Sequence, residues 1–380
     1  MSGFPHLRLT GDHRDRGRAY GEQAADRVAA SITAYRQVFA HLAGWDWDRV
    51  VAEALRYEPA IADFAAEYLD EMRGLAEGAG VAYEDVLAIN TRTEVMFSAK
   101  ARKAAATFGR GECSAFAILP PRSVDGHTLV GQNWDWLAHC FDTVVVLEVE
   151  QDDAPDYVTV VEAGLLAKSG MNAAGVGVTT NALVTTDDAG EPAVPYHVVL
   201  RGLMDARNLS EALSTIQRAP RSSSANYLLA SRDGLAIDVE AAPGDFSRLY
   251  FLDPVDGVLL HTNHFVSPRF DRVDVSTWAM PDSPIRLQRL RALLADHDGL
   301  IGVDVLSDWL ADHANHPAGV CCHPDTALPE VEQDATVVSV VMDLDAGRLW
   351  IADGHPCDTP YRTVDLHDVF GGRGVTAAAG

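Results

Sequence analysis

Apolar residues change their spacing once along this chain, and the change falls at a cysteine. From about Asp12 to Val95 they recur every three or four positions, as in AADRVAASITAYRQVFAHLAG, DRVVAEALRYEPAIADFAAEYLDEMRGLAEGAG and YEDVLAINTRTEV. That is the period of packed amphipathic helices. The segment SAKARKAAATFGRGE follows, basic and punctuated by glycine, and reads as a loop. From Cys113 to about Val266 the pattern becomes strands between Gly, Pro and Asp turns, among them CSAFAIL, TLVGQNW, TVVVLEVE, YVTVVEAG, AGVGVTTNAL and GVLLHTNHFV. One helix is expected at roughly residues 195–218 and two more in SPIRLQRLRALLADH and VDVLSDWLADH, before a closing hairpin in TVVSVVMDLDAGRLWIADG. Antiparallel strands with helices before, within and after them predict an α+β layered sandwich.

Composition narrows the function classes. The 55 acidic residues against 30 basic ones leave a net charge of −25, which repels a phosphate backbone and argues against nucleic acid as a partner. No apolar run approaches the length of a membrane span, and MSGFPHLRLTGDHRDRG contains no signal core. A cytoplasmic location and no membrane partner are therefore expected. Five cysteines in 380 residues form no disulfide framework, and in a reducing compartment they are free thiols.

Cys113 opens the first strand of a hairpin. If Leu119 pairs with Leu129 across PPRSVDGHT, Cys113 falls opposite Asp135, and directly opposed residues share a face of the sheet. The thiol then needs a base, and His127 lies at the wrong end of the hairpin. A chain cut before Cys113 supplies one: a free α-amino group, with a pKa of about 7.7–8.0, within reach of its own side chain. Such a terminus is both nucleophile and proton acceptor, the chemistry of N-terminal nucleophile hydrolases.

Seven blocks carry a family resemblance: NTRTE, CSAF, GQNWDW, EAGLLAKSGMNAAGVGVTTNAL, VPYHVVLRGLM, HTNH and DSPIRLQRLRALL. In their order and spacing the chain resembles the isopenicillin N acyltransferase family, self-processing cysteine enzymes of the N-terminal nucleophile class. The resemblance implies a four-layer αββα sandwich. It also implies scission between Glu112 and Cys113 into an α chain, residues 1–112, and a β chain, residues 113–380, which stay associated as one domain. Cys113 matches the nucleophile, Asp135 the aspartate of the family motif, and Asn263 the oxyanion-hole donor. Asn181, Trp134 and His264 are the expected supporting or substrate-binding residues. Asn181 and Asn172 read equally as turn residues, and Arg92 with Glu94 as an internal structural pair. Glu112 stands where the family commonly has glycine, and Ala115, Glu332 and Gln333 also depart from the fungal penicillin enzyme's pattern. The last three positions fall on groups expected around substrate, so the penicillin reaction itself does not follow from the resemblance.

One segment competes for attention. HANHPAGVCCHPD places His313, His316, Cys321, Cys322 and His323 close together, ligand types that zinc favours. Adjacent cysteines rarely both ligate one ion, and the spacing fits no standard zinc pattern, so neither metal nor other cofactor is expected. The functional expectation is an amidohydrolase or N-acyltransferase acting on a small acyl amide or thioester, acyl-coenzyme A included, through an acyl-enzyme on Cys113. Hydrolysis is preferred because no basic patch for nucleotide phosphates is evident. The alternative is an unprocessed or zinc-binding protein that retains the sandwich without acyl transfer.

Overall fold

The computed structural model describes residues 3–101 and 113–366. In chain order, β1 (His6–Leu9) precedes five helices, α1 (His13–Ala43), α2 (Trp47–Ala54), α3 (Glu58–Ala79), α4 (Tyr83–Asn90) and α5 (Arg92–Ala101). Six strands follow: β2 (Cys113–Ile118), β3 (Leu129–Leu137), β4 (Val144–Val149), β5 (Tyr157–Glu162), β6 (Ser169–Asn172) and β7 (Val176–Ala182). After α6 (Tyr196–Met204) and α7 (Leu209–Arg218) come β8 (Ala225–Ser231), β9 (Leu235–Ala241), β10 (Leu249–Leu252) and β11 (Val258–His261). The tail comprises α8 (Ser276–Ala279), α9 (Ser283–Ala295), α10 (Val303–Leu310), β12 (Asp334–Asp343), β13 (Arg348–Ala352) and β14 (Arg362–Asp365).

These strands make two sheets, an eight-stranded one in the order β1-β4-β5-β6-β7-β8-β9-β10 and a six-stranded one in the order β11-β2-β3-β12-β13-β14. Three apolar layers hold the sandwich together. Residues of α1 to α7, such as Tyr35, Val86 and Leu203, pack on the outer face of the larger sheet. Val130, Met171, Leu228 and Val340 fill the space between the sheets. Leu306 and Leu310 of α10 cover Phe116 and Val341 on the outer face of the smaller sheet. The result is the expected αββα order. The long helices α1 and α3 cross in backbone contact: a Cβ on Gly17 would lie 2.0 Å from Glu71 O, and one on Gly74 2.1 Å from Arg14 O. Only glycine permits that approach.

Sequence periodicity locates most elements and misplaces some edges. The helix expected over 195–218 is two, α6 and α7, separated at Asp205 and capped anew by Asn208, whose side chain accepts from Glu211 N. Helix α5 runs to Ala101, into the stretch read as a loop. The short strands β1, β6 and β14, four residues each, were not anticipated, since so short a run has too little alternation to stand out.

The register of the β2–β3 hairpin differs from expectation by one residue. Ile118, not Leu119, pairs with Leu129, so Cys113 pairs with Trp134. Leu119 is drawn away because its N–H donates to Gly257 O at 2.8 Å, next to the β11 edge of the sheet. A slip of one residue exchanges the two faces of a strand. Cys113 and Trp134 therefore point between the sheets, whereas Asp135 pairs with Thr336 of β12 on the other face.

Candidate active site

Cys113 is 3% exposed and its main chain is gripped by side chains from three other elements. Its N–H donates to Asn263 Oδ1 at 2.6 Å. Its carbonyl accepts from Asn181 Nδ2 at 2.9 Å and from Arg286 Nη1 at 2.9 Å. Asn181 comes from β7 of the facing sheet and is fixed in turn by Asn226 Nδ2, 3.1 Å from its Oδ1. Asn263 follows the end of β11. Two donors, Cys113 N–H and Arg286 Nη2, converge on its Oδ1, which settles the orientation of the amide, and its Nδ2 donates one hydrogen to Ala182 O at 3.0 Å.

Arg286 was missed by sequence reasoning and is central to the arrangement. It is 1% exposed and bonds Cys113 O, Ser114 Oγ, Asn263 Oδ1 and, through Nε at 2.7 Å, Asp282 Oδ2. Helix α9 carries several arginines, so the sequence reads as a solvated face. The available signal was position: Arg286 lies four residues before the buried Leu290 and four after Asp282, on the buried stripe with an acidic partner supplied.

Lys168 is the second residue that was missed. This lysine, 5% exposed, places Nζ 4.5 Å from the centre of the Trp134 ring. Burial pushes its pKa down to about 8, against the pull of the Cys113 sulfur. Burial likewise raises the Cys113 thiol above its ordinary value, while Lys168 and Arg286 lower it. Only three lysines occur in the chain, and this one sits in an apolar segment, EAGLLAKSG; that was the clue.

Asp135 does not face the thiol, contrary to the expected pairing. Thr336 Oγ1 donates to its Oδ1 at 2.5 Å, and its Oδ2 has no hydrogen-bond partner among the described residues. Burial raises its pKa to about 8, opposed by Arg286. It approaches Cys113 through its main chain, whose N–H bonds the sulfur.

The other expected residues divide. Trp134 lies against the thiol as its strand partner. His264 stays outside the cavity; its Nδ1 is 2.8 Å from Ser283 Oγ, which accepts from Asn263 N at 2.7 Å, so it supports the asparagine indirectly. Burial keeps this ring neutral, with its pKa lowered to about 4. Asn172 is structural, donating to Met204 O and Ala206 O. Arg92 pairs with Glu162 at 3.2 Å, not with Glu94, which instead accepts from Tyr196 N and Ser223 Oγ. Glu112 lies outside the described residues.

A cavity opens beside Cys113. Lys168, Arg92, His197 and Tyr196 are among its polar lining, and Leu42, Met96, Phe97, Val184 and Met280 among its apolar lining. A buried sulfur and a cation lining a largely apolar cavity, with amides holding the main chain of the sulfur's residue, suit attack on a carbonyl bearing a hydrocarbon substituent. Of the His/Cys segment none lies in this cavity.

The family described as acyl-coenzyme A:6-aminopenicillanic acid acyl-transferase matches residues 122–356, a range that begins after Cys113 and includes Asp135, Asn263 and Arg286. The chain is similar to the 40 kDa form of acyl-coenzyme A:6-aminopenicillanic-acid-acyltransferase from Emericella nidulans, 26% identical over 257 residues, covering 67% of this chain and 66% of that protein. An uncharacterized protein from Archaeoglobus fulgidus is 23% identical over 278 residues, which cover 63% of this chain and 45% of its length. The chain thus spans less than two thirds of either relative. Among solved structures it is similar to a mutant of conjugated bile acid hydrolase from Clostridium perfringens, with TM-score 0.46, 14% identity and coverage of 67% and 93% of the two chains. Because the family matches more than half of its length, the chain belongs to the acyl-coenzyme A:6-aminopenicillanic acid acyl-transferase family.

Proposed function

We propose that this protein is a self-cleaving cysteine enzyme that breaks the amide or thioester bond of a small acylated substrate through an acyl-enzyme on Cys113. The observation that carries this reading is the grip on Cys113 itself. A core cysteine in a strand needs only the ladder for its main chain, whereas here Asn263, Asn181 and Arg286 hold its N–H and C=O from three directions and the residue lines a cavity.

In the first stage the Cys113 sulfur attacks the Glu112 carbonyl carbon and the peptide nitrogen leaves with a proton, giving a thioester. Water then adds to the thioester carbonyl, the sulfur leaves, and a new N-terminus is free. The second stage repeats this on substrate. The amine of Cys113 takes the thiol proton, the thiolate attacks the acyl carbonyl, and the proton passes to the leaving amine or thiolate. The side-chain amide of Asn263, the donor that the family resemblance implies, stabilises the oxyanion. Lys168 favours the thiolate by its charge. Asn263 Oδ1, which accepts from the Cys113 nitrogen before scission, holds the amine afterwards. The α chain remains bound because its helices share one core with the larger sheet and β1 is hydrogen-bonded into that sheet beside β4.

The apolar lining suits a hydrocarbon acyl group. The strong negative charge of the chain disfavours coenzyme A phosphates, so hydrolysis of an N-acyl compound is preferred. The test is intact mass and N-terminal sequencing of purified protein, followed by turnover of N-acyl amides and acyl-coenzyme A thioesters. Two fragments, the second beginning CSAF, and acyl release that depends on Cys113 are expected; an unbroken chain in active material overturns the reading.

A further inference from the structure

The histidines and cysteines left over from the active site come together elsewhere. One ligand atom each from His313, Cys321, His323 and Cys357 lie within 4.8 Å of one another. Nε2 of His323 is 3.1 Å from His313 Nε2, 3.5 Å from Cys321 Sγ and 3.4 Å from Cys357 Sγ. Hydrogen bonding does not account for this convergence, because a ring nitrogen has either one hydrogen or one lone pair and satisfies a single partner. A central ion does. With zinc bonds of about 2.0–2.1 Å to nitrogen and about 2.3 Å to sulfur, a tetrahedron has edges of about 3.3 Å between nitrogens, about 3.6 Å between nitrogen and sulfur, and about 3.8 Å between sulfurs. The three separations from His323 Nε2 match the nitrogen–nitrogen and nitrogen–sulfur edges to within a few tenths of an ångström.

We propose that His313, Cys321, His323 and Cys357 form a tetrahedral two-cysteine, two-histidine site for zinc. The expectation of no metal rested on spacing within one segment, and two features of the fold undercut it. The fourth ligand, Cys357, comes from the loop after β13, thirty-four residues beyond His323. Cys322 is excluded by its direction, its sulfur lying toward Asp334 O and His323 O, which removes the objection to adjacent cysteine ligands. His316 is a neighbour, its ring centre 5.4 Å from that of His323, and is not one of the four.

The scaffold is built to hold this geometry. Arg289 clamps both oxygens of Asp312, and the Asp312 carbonyl accepts from Cys321 N at 3.0 Å. His323 N donates to Pro317 O at 2.9 Å, and Thr359 N to His355 O at 3.0 Å on the opposite loop. His355 stacks on His323 with ring centres 4.3 Å apart. Binding joins one Zn²⁺ to two thiols and two neutral imidazoles, and both thiol protons leave to solvent. The role is a clamp, since all four coordination positions are filled by protein. It ties the loop after α10 to the loop after β13. Through Cys322, whose N and O exchange hydrogen bonds with Thr336, it also braces the residue that bonds Asp135.

Untagged full-length protein, purified without chelator and under reducing conditions, is measured for metal by elemental analysis and native mass spectrometry. One zinc per chain is expected, and Co²⁺ replacement should give the intense ligand-field spectrum of a tetrahedral thiolate site. Cys321→Ser and Cys357→Ser should each lose stoichiometric metal, whereas Cys322→Ser and His316→Ala should keep it. If a variant does not fold, metal uptake by reduced wild-type protein alone decides the matter. Less than a tenth of an equivalent after reduction and exposure to Zn²⁺ overturns the proposal. So does a Cys321–Cys357 disulfide in native protein that, once reduced, takes up no metal.

Discussion

Cys113 and Cys321 are both buried cysteines set on the six-stranded sheet and its flanking loops, yet they have different company. Around Cys113 stand a lysine, an arginine and two asparagine amides. Around Cys321 stand a second thiol and two imidazoles. Cations and amide dipoles favour a thiolate and stabilise charge on an attacked carbonyl, but they leave the sulfur free to form a covalent bond. Imidazoles and thiols offer lone pairs to a common point, which occupies the sulfur with a metal. Burial alone therefore says little about what a cysteine does; the chemistry of its neighbours decides.

The contrast can be broken most sharply at Cys113. Cys113→Ala should abolish both chain scission and acyl release while leaving zinc content unchanged, as read by denaturing gel, substrate assay and elemental analysis. Next in size is Arg286→Ala, which strips a buried guanidinium from four partners, its ion-pair partner Asp282 among them. Removing one member of such a pair costs about 3–5 kcal/mol, measurable by urea denaturation, and Arg286→Lys should not restore activity because one ammonium cannot reproduce the planar fork. Asn263→Ala should lower kcat by about 10²–10³-fold with the protein folded.

Smaller effects concern protons. The Asp135 carboxyl has a pKa of about 8 in the folded chain against an ordinary value of 3.8, so the folded state holds its proton more tightly. Its contribution to stability is full below about pH 4 and is lost as pH rises toward 8. Asp135→Asn should flatten that part of the stability profile, seen as melting temperature against pH. Lys168→Met should move the ionisation that controls kcat/KM to higher pH, since the lysine's charge lowers the thiol pKa. The smallest effect is expected at Cys322, where Ala should cost no more than about 1 kcal/mol and leave both sites working.

How much of this was legible in the sequence depends on distance along the chain. The periodicity of α1 and α3, the strands between Cys113 and His261, and the proline-headed start of α9 were all readable, because each depends on residues within a few positions. The pairing of Cys113 was not. Its register goes with a hydrogen bond between Leu119 and Gly257, and nothing in the hairpin announces so distant a partner. Arg286 and Lys168 were obscured by their type, since a charged residue is ordinarily a surface residue until its burial is seen.

By itself the sequence determined the layered αββα character, the family and the cysteine on which the chemistry is proposed to turn, since hydrophobic period and ordered motifs are properties of the linear chain. Tertiary structure alone decided which groups meet. It put Trp134 rather than Asp135 opposite Cys113 and brought Arg286 to the Cys113 carbonyl. It also delivered Cys357 to His323. Each of these depends on long-range packing and strand register, where a shift of a single residue reverses the direction of every side chain.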